Sequence, residues 1–430
     1  MINFKTRLGY LLGVGAIFYA SYGSANFLTA LREDIPEIVF GWEQHIPFLA
    51  WTIVPYWSLN LLYALAFFLC QDLVQLRHYT ARLLLAQGIA VLSFLLFPLQ
   101  ISWQKLETTG ISGFLFESLA GFDQPYNQAP SLHIILTIVV GAFYWRIFPK
   151  WRLLLCFWFG LIALSILTTY QHHFLDLPTG ALVGFLVLWL LPEHGSCPIV
   201  VKTSQNLTAS HYRLMICYGI GVMVCVWLAY LGGAWLWLIW GAVALCLVVL
   251  AYGRGVTIFQ KQANGKLSAA ACALGLPYFL GARLNIVYWL WGKPKSAVIF
   301  ENISVGSIVV SSEFNALLDC CAELPCPNPS DAYEQAFMLD LIAPSAKELC
   351  NAAEKLEHLQ QTCSSVLVCC ALGYGRSVAV VLTWLLATHK VADLEQAIML
   401  VKQARPQMVI SNALRQSILQ ADKLYQEKIK

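Results

Sequence analysis

Val366-Leu367-Val368-Cys369-Cys370-Ala371-Leu372-Gly373-Tyr374-Gly375-Arg376-Ser377 is the stretch on which the reading of this chain turns. Its first five residues form an unbroken apolar run of strand length, as a strand buried on both faces requires. Two glycines then interrupt the pattern, and residues 377–388 make an apolar run of helical length. Strand, glycine-bearing loop and helix in that order turn successive backbone N–H groups toward one point, where the helix N-terminus adds positive potential. Gly373 and Gly375 let those amides face an anion. Cys370 stands at the base of the cradle, in the kind of site where the thiolate is the reactive form. Arg376, six residues on, offers a planar fork for two phosphate oxygens. Ser377 is placed to hydrogen-bond the sulfur when it acts as a leaving group. The chemistry indicated is thiolate attack on phosphorus.

Outward from that stretch, residues 298–430 read as an α/β domain. Strands are predicted at 297–301, 306–310 and 337–341 as well as 366–370, and 315–322 reads as a short helix ending in strand. Helices are predicted at 344–359, 392–405 and 411–428 besides 377–388, the first capped by Ser345. Strands alternating with helices give an α/β sandwich. With these elements in place, the segment resembles the dual-specificity branch of the cysteine-dependent phosphatases. Met338-Leu339-Asp340-Leu341-Ile342-Ala343-Pro344 is similar to that family's Leu-Asp-Leu-x-x-Pro segment. The resemblance implies that Asp340 protonates the leaving alcohol and then activates water. Arg405-Pro406 is similar to a late structural pair of the family. Cys369 stands where the family usually has histidine.

The rest of the chain has another solvent. Of 430 residues, 58% are hydrophobic and only 12% charged, against about a quarter charged in soluble domains. That composition excludes an ordinary soluble, disordered or fibrous protein, and a net charge of +3 leaves no global field for nucleic acid. A bilayer span takes roughly 20 apolar residues, and spans are predicted at 8–28, 46–69, 83–103, 131–145, 153–169, 177–191, 214–231 and 234–251. Cations alternate with acids between them. Lys5 and Arg7, Arg77 and Arg82, Arg146, Lys150 and Arg152, Lys202 and Arg213, then Arg254, Lys261 and Lys266 mark the cytoplasmic side. Glu33, Asp34, Glu37 and Glu43, then Glu107, Glu117 and Asp123, outnumber Arg32 and Lys105 on the external side. Residues 267–291 are apolar but carry Arg283 and Asn285, with two tryptophans, two tyrosines and flanking lysines. That pattern favours a helix in the headgroup plane over a ninth crossing. None of the fourteen cysteines falls in a predicted external loop, which suits a reducing compartment for the C-terminal part.

The predicted architecture is therefore a multi-span α-helical membrane domain, with a six-helix core (1–192) and two additional spans (193–253), then a juxtamembrane linker (254–297) and an α/β cysteine-phosphatase domain (298–430). Polar residues gather at the external ends of spans: Pro130-Ser131-Leu132-His133, and Gln171-His172-His173-Phe174-Leu175-Asp176. His172 and Asp176 lie four apart, within reach across one helical turn. A carboxylate on one imidazole nitrogen leaves the other free as nucleophile, and His133 is a candidate general acid. His173 reads as a bystander.

These two segments resemble the type 2 phosphatidic acid phosphatase superfamily, over residues 50–191. Pro130, Ser131 and His133 match its Pro-Ser-x-His segment, and Ser165, His172 and Asp176 its Ser-x6-His-x3-Asp segment. The family's arginine after that serine is Ile166 here, and around Phe97-Pro98-Leu99-Gln100, where it has an early basic segment, Lys105 is the nearest cation. The resemblance implies phosphate contacts from Ser131 and Lys105 and no metal or other cofactor. Two readings follow. One is an enzyme with an external histidine-dependent lipid phosphate or pyrophosphate phosphatase (or headgroup transferase) site and a cytoplasmic cysteine-dependent one. The other has a single live cytoplasmic site tethered by an impaired lipid-binding domain. A transporter would need charges in span centres. The expected partners are phosphorylated membrane lipids and a possible phosphoprotein, with no nucleic acid. The expected location is a bacterial inner membrane with the C-terminal domain in the cytoplasm.

Overall fold

The computed structural model describes residues 2–104, 106–121, 124–201 and 207–429. Its backbone contacts separate into two compact units, Met1–Cys197 and Pro198–Lys430. Lys105, Asp123 and Lys202, each used in the sequence reading, lie outside the described residues.

The first unit is helical: α1 Phe4–Ala30, α2 Ile53–Leu69, α3 Leu73–Leu96, α4 Gly110–Ala120, α5 Leu132–Ile147, α6 Arg152–Thr168 and α7 Asp176–Leu190. Local chemistry sets several starts. Asn3, Asp72 and Ser131 each accept a hydrogen bond from a backbone N–H in the first turn of α1, α3 and α5, which satisfies donors that the helix itself leaves open. The Asp72 cap explains why α3 begins ten residues before the predicted span 83–103. Arg77 and Arg82, expected in a loop, lie inside it. The Arg82 guanidinium donates to the Leu191 carbonyl at 2.9 and 2.7 Å and pairs with Glu193 at 3.2 Å. The carbonyl end of α7 thus accepts a charge that the linear pattern assigned to water. Helix α4 lies in a stretch expected to be loop. Helices α5 and α7 approach closely, because a Cβ on Gly180 would stand 2.8 Å from the Ser131 carbonyl and one on Gly184 3.0 Å from Ile138. Small residues four apart allow such contact between apolar helices.

The second unit opens with α8 Ala209–Ala229, α9 Leu238–Arg254 and α10 Ala269–Leu290. With α1, α2, α3 and α6 they are the seven helices, among the described residues, long and apolar enough by length and composition to cross a membrane; α5 and α7 are shorter. Five strands follow, with four helices among them: β1 Ser296–Phe300, β2 Ile303–Ser307, β3 Ala316–Cys321, β4 Ala332–Met338, α11 Ala346–Thr362, β5 Val366–Cys370, α12 Arg376–Ala387, α13 Leu394–Ala404 and α14 Asn412–Ile429. The sheet order is β1-β2-β5-β3-β4. β1 is antiparallel to β2, and the other pairings are parallel. β5 sits at the centre, as its unbroken apolar run requires.

Every residue of α12 is buried, and its Trp384 donates from Nε1 to Glu357 of α11 at 2.6 Å. Helix α11 begins in a reciprocal cap between Ser345 and Glu348. Residues 315–322, expected to start as helix, are strand from Ala316, because β3 lies between β4 and β5 and fills the ladder on both sides. The strand expected at 306–310 ends at Ser307, whose hydroxyl caps a short turn from Ile308. Residues 193–253 and 254–297, set apart by composition, cluster with the α/β domain from Pro198 onward.

Candidate active sites

β5 delivers Cys370 to the C-terminal edge of the sheet, and the loop to α12 closes over it. The Gly373 N–H donates to Cys370 Sγ at 3.2 Å, and Ser377 Oγ lies 3.4 Å from the same sulfur. Gly373 has φ +73°, and a Cβ there would meet the Gly306 carbonyl carbon at 2.5 Å. Only glycine fits a left-handed backbone pressed so closely on β2. Gly375 precedes α12 with φ −125° and has open space around it, so its place carries no such demand.

Arg376 does not present its whole fork to an incoming anion. Its Nη1 and Nη2 donate to Glu323 at 2.7 and 2.6 Å, and Nη1 also to the Met338 carbonyl at 3.0 Å. Arg376 Nη2 lies 3.2 Å from Asp340, a half-exposed carboxylate. The remaining donor, Arg376 Nε–H, is buried and has no partner among the described residues. Burial pushes the Glu323 carboxyl up, but the Arg376 charge and its hydrogen bonds outweigh this and hold it below the ordinary carboxylate value. Sequence reasoning missed Glu323. Its signal was a lone charge among apolar residues just after β3, in Cys321-Ala322-Glu323-Leu324. Cys370, Arg376, Ser377 and Asp340 are thus brought together, with both Nη groups of the guanidinium held and the Nε–H left unpaired among the described residues. Cys369, beside the nucleophile candidate, is buried and unbridged. Burial raises its thiol well above the ordinary value.

In the first unit, the Ile166 carbonyl accepts from the N–H groups of both Gln171 and His172, which folds the 169–175 loop under the end of α6. His172 therefore stands in that loop, not on a helix with Asp176. Asp176 opens α7 and reaches back, its Oδ2 3.0 Å from His172 Nδ1. His172 Nε2 lies 3.1 Å from Ser131 Oγ, and the Ser131 oxygen also accepts from the Ile134 N–H at 3.3 Å. A carboxylate accepts, so Nδ1 holds the imidazole proton and Nε2 accepts from the Ser131 hydroxyl. His133, two residues along α5, stacks on Tyr56 with centroids 3.9 Å apart. Its Nε2 is buried without a partner among the described residues, and it lies near enough to His172 for the rings to interact electrostatically. Ser165 is directed elsewhere, its hydroxyl donating to the Ile162 carbonyl at 2.6 Å.

His173 is not loose in a loop. Its Nδ1 lies 3.1 Å from Glu43 Oε2, and its Nε2 accepts from the Ser102 N–H at 3.2 Å. A backbone N–H can only donate, so the His173 proton sits on Nδ1 and points at Glu43. The same Glu43 oxygen accepts from the Phe174 N–H at 3.0 Å. Glu43, counted in the sequence as a solvated external charge, is wholly buried and braces the loop that carries His172. Among the described residues no group of three or more His, Cys, Asp or Glu side chains is placed to hold a metal ion.

Comparison with known proteins follows this division. Residues 30–190 match the PAP2 superfamily, and residues 308–423 match the dual specificity phosphatase catalytic domain. Among solved structures, Tk-PTP in its active form is similar at 21% identity over 30% of this chain and 97% of its own, with a TM-score of 0.27. Human DUSP28 is similar at 17% identity over 31% and 96%, TM-score 0.29. A leucine rich repeat and phosphatase domain containing protein from Entamoeba histolytica is similar at 17% over 31% and 92%, TM-score 0.24. No curated protein matches the chain. The chain is a membrane-associated, two-domain phosphoric monoester hydrolase in which residues 30–190 match the PAP2 superfamily and residues 308–423 match the dual specificity phosphatase catalytic domain.

Proposed function

We propose that the chain carries two separate phosphatase centres, a cysteine-dependent one at Cys370 and a histidine-dependent one at His172. The observation that carries the first is the convergence on one loop of Cys370 Sγ, the Gly373 N–H at 3.2 Å and the Ser377 hydroxyl at 3.4 Å, with Asp340 3.2 Å from Arg376. The thiolate attacks phosphorus, an S–P bond forms, and the leaving oxygen departs with the Asp340 proton. Arg376 Nε–H and the loop amides hold the equatorial oxygens. The Asp340 carboxylate then takes a proton from water, whose oxygen displaces sulfur. The S–P bond breaks, phosphate leaves, and Ser377 steadies the returning thiolate.

At the second centre, Ser131 turns its hydroxyl to a phosphate oxygen and frees His172 Nε2 to attack. An N–P bond forms, His133 protonates the leaving oxygen, and Asp176 keeps the Nδ1 proton in place. Water then hydrolyses the phosphohistidine. The matching substrate is a lipid phosphate or pyrophosphate, or a headgroup passed to another acceptor, and Lys105 is the cation nearest in sequence to residues 97–100. The reading with one live centre draws on the Ser131 hydroxyl that occupies Nε2 in the resting arrangement.

The alternation of Lys and Arg between spans supports a Cys370 domain in the cytoplasm and a His172 centre on the outer face, and the short loops and this pairing of domains suit a bacterial inner membrane. None of the fourteen cysteines falls in a predicted external loop, which suits that side.

The test is phosphate release from an aryl phosphate and from a lipid-phosphate panel by the detergent-solubilised full chain. Cys370→Ser should abolish aryl phosphate hydrolysis; activity retained by that variant removes the thiolate assignment. His172→Ala should abolish the lipid phosphate release that survives Cys370→Ser and spare aryl phosphate turnover. Lipid release untouched by both substitutions refutes the lipid-phosphatase reading.

A further inference from the structure

Helix α10 is tied at both ends to the edge of the sheet that carries Cys370. Before its start, the Gly265 carbonyl accepts from the Cys326 N–H at 2.8 Å. In the same turn Lys261 pairs with Asp319 at 2.5 Å, both side chains buried, and donates to the Cys321 carbonyl at 2.6 Å. At the far end, the Trp289 carbonyl accepts from the hydroxyl of Tyr374, inside the Cys370–Arg376 loop, at 3.3 Å. Just beyond, the Pro294 carbonyl accepts from Arg405, which also holds the Leu372 carbonyl at 2.9 Å. Twenty-two residues of helix rise about 33 Å. A helix of that length with both ends fastened to one small sheet runs along the domain and cannot carry the chain away to the far side of a bilayer.

Its two faces differ. Ala271, Leu274, Phe279, Ile286 and Leu290 are buried within the unit. Leu276, Leu280, Leu284, Val287, Tyr288 and Trp291 are exposed, and they recur every three or four residues as one stripe. Arg283 is also exposed, and the Lys293 ammonium stands over the Trp289 ring at 5.6 Å. An apolar stripe with aromatics and cations at its margins fits the boundary between headgroups and acyl chains. A second apolar helix reaches the same rim, for the Tyr252 hydroxyl of α9 donates to the Asp340 carbonyl at 3.2 Å.

We propose that α10 lies in the plane of the membrane surface and seats the Cys370 pocket against it, so that the substrate of this centre is a phosphomonoester carried on a membrane lipid. The assignment rests on the reading of Cys370 as nucleophile. The cations beside the stripe draw anionic headgroups toward the rim. A soluble phosphoprotein gains nothing from such a rim and has to compete with the lipid surface for it.

The experiment uses the full chain with His172→Ala, which silences the other centre, in phosphatidylcholine vesicles. A non-natural ketone residue carrying a nitroxide replaces Leu276, Leu284 or Trp291 in turn, and depth is read from collision with oxygen against a water-soluble nickel complex. An in-plane helix places all three labels within about 5 Å of one depth. A crossing helix separates positions 276 and 291 by about 22 Å, and that result overturns the proposal. In the same vesicles, phosphatidate, phosphatidylglycerol phosphate and a phosphoinositide are compared with a soluble phosphotyrosine peptide. At least one lipid should be turned over with kcat/KM tenfold or more above the peptide; a peptide preferred to all three refutes the lipid assignment. Aryl phosphate hydrolysis that survives Cys370→Ser is a different failure, that of the nucleophile itself.

Discussion

Replacing Glu323 with glutamine keeps the shape of the side chain and removes its charge. In the native protein Glu323 receives two short hydrogen bonds from Arg376, at 2.7 and 2.6 Å, with both side chains all but buried. Removing one member of a buried ion pair costs about 3–5 kcal/mol, since the other charge is left in a poor solvent. Arg376 keeps the Met338 carbonyl at 3.0 Å and Asp340 at 3.2 Å, so the low end, about 3 kcal/mol, applies. For a unit of this size each kcal/mol moves Tm by about 2–4 °C, so Glu323→Gln should lower it by about 6–12 °C. The assay is heat-dependent loss of aryl phosphate hydrolysis by the solubilised full chain, followed in parallel by circular dichroism. The double substitution Glu323→Leu with Arg376→Met removes both charges and should regain most of the lost stability, though no activity. The pair also has a pH signature. Because Arg376 holds the folded Glu323 below its ordinary value of 4.5, its contribution is complete above that value. It is lost as pH falls through the lower, folded value, and the acid limb should be shallower in Glu323→Gln. A change in Tm under 2 °C, or a double variant no more stable than the single, would refute the reasoning.

Gly373→Ala forces a Cβ to within 2.5 Å of the Gly306 carbonyl carbon at φ +73°. It should cost about 1–3 kcal/mol and most of the Cys370-dependent turnover, whereas Gly375→Ala should be far milder; equal effects contradict the packing argument. Gly180→Leu pushes α7 off the Ser131 carbonyl, which a Cβ there would approach to 2.8 Å. Overpacking of about 1–3 kcal/mol should cut the lipid phosphate release that survives Cys370→Ser at least tenfold, with aryl phosphate turnover of the otherwise native chain unchanged. Glu43→Gln leaves His173 and the Phe174 N–H with a weaker acceptor. It should lower the thermal stability of the lipid phosphate release that survives Cys370→Ser by several degrees, and an unchanged inactivation temperature would deny Glu43 its bracing role.

What could be read before the structure was whatever the chain writes in consecutive residues. Cys370 to Ser377 is legible because strand, turn and helix N-terminus are neighbours in sequence, and backbone geometry alone makes them an anion cradle. His172 and Asp176 are legible for the same reason, although the structure pairs them across a loop and a helix start instead of along one helical face. Glu323 and Glu43 were not legible as site residues. Their partners lie 53 and 130 positions away, and a carboxylate in a linear string looks solvated until the fold removes the water. Arg82 misled in the same way, and moved the predicted start of α3 by ten residues.

Composition and short-range pattern by themselves determined that this protein has a part rich in apolar helices and an α/β part, and which residues in each are candidates for phosphate chemistry. Local backbone preference and transfer free energy depend only on nearby residues. Only the tertiary structure decided which donor of Arg376 remains unpaired, which carboxylate braces the His172 loop, and that α10 lies along the edge of the sheet that carries Cys370. Each of those outcomes requires two distant segments to satisfy one buried charge or one free carbonyl, and that pairing exists only once the chain has closed around it.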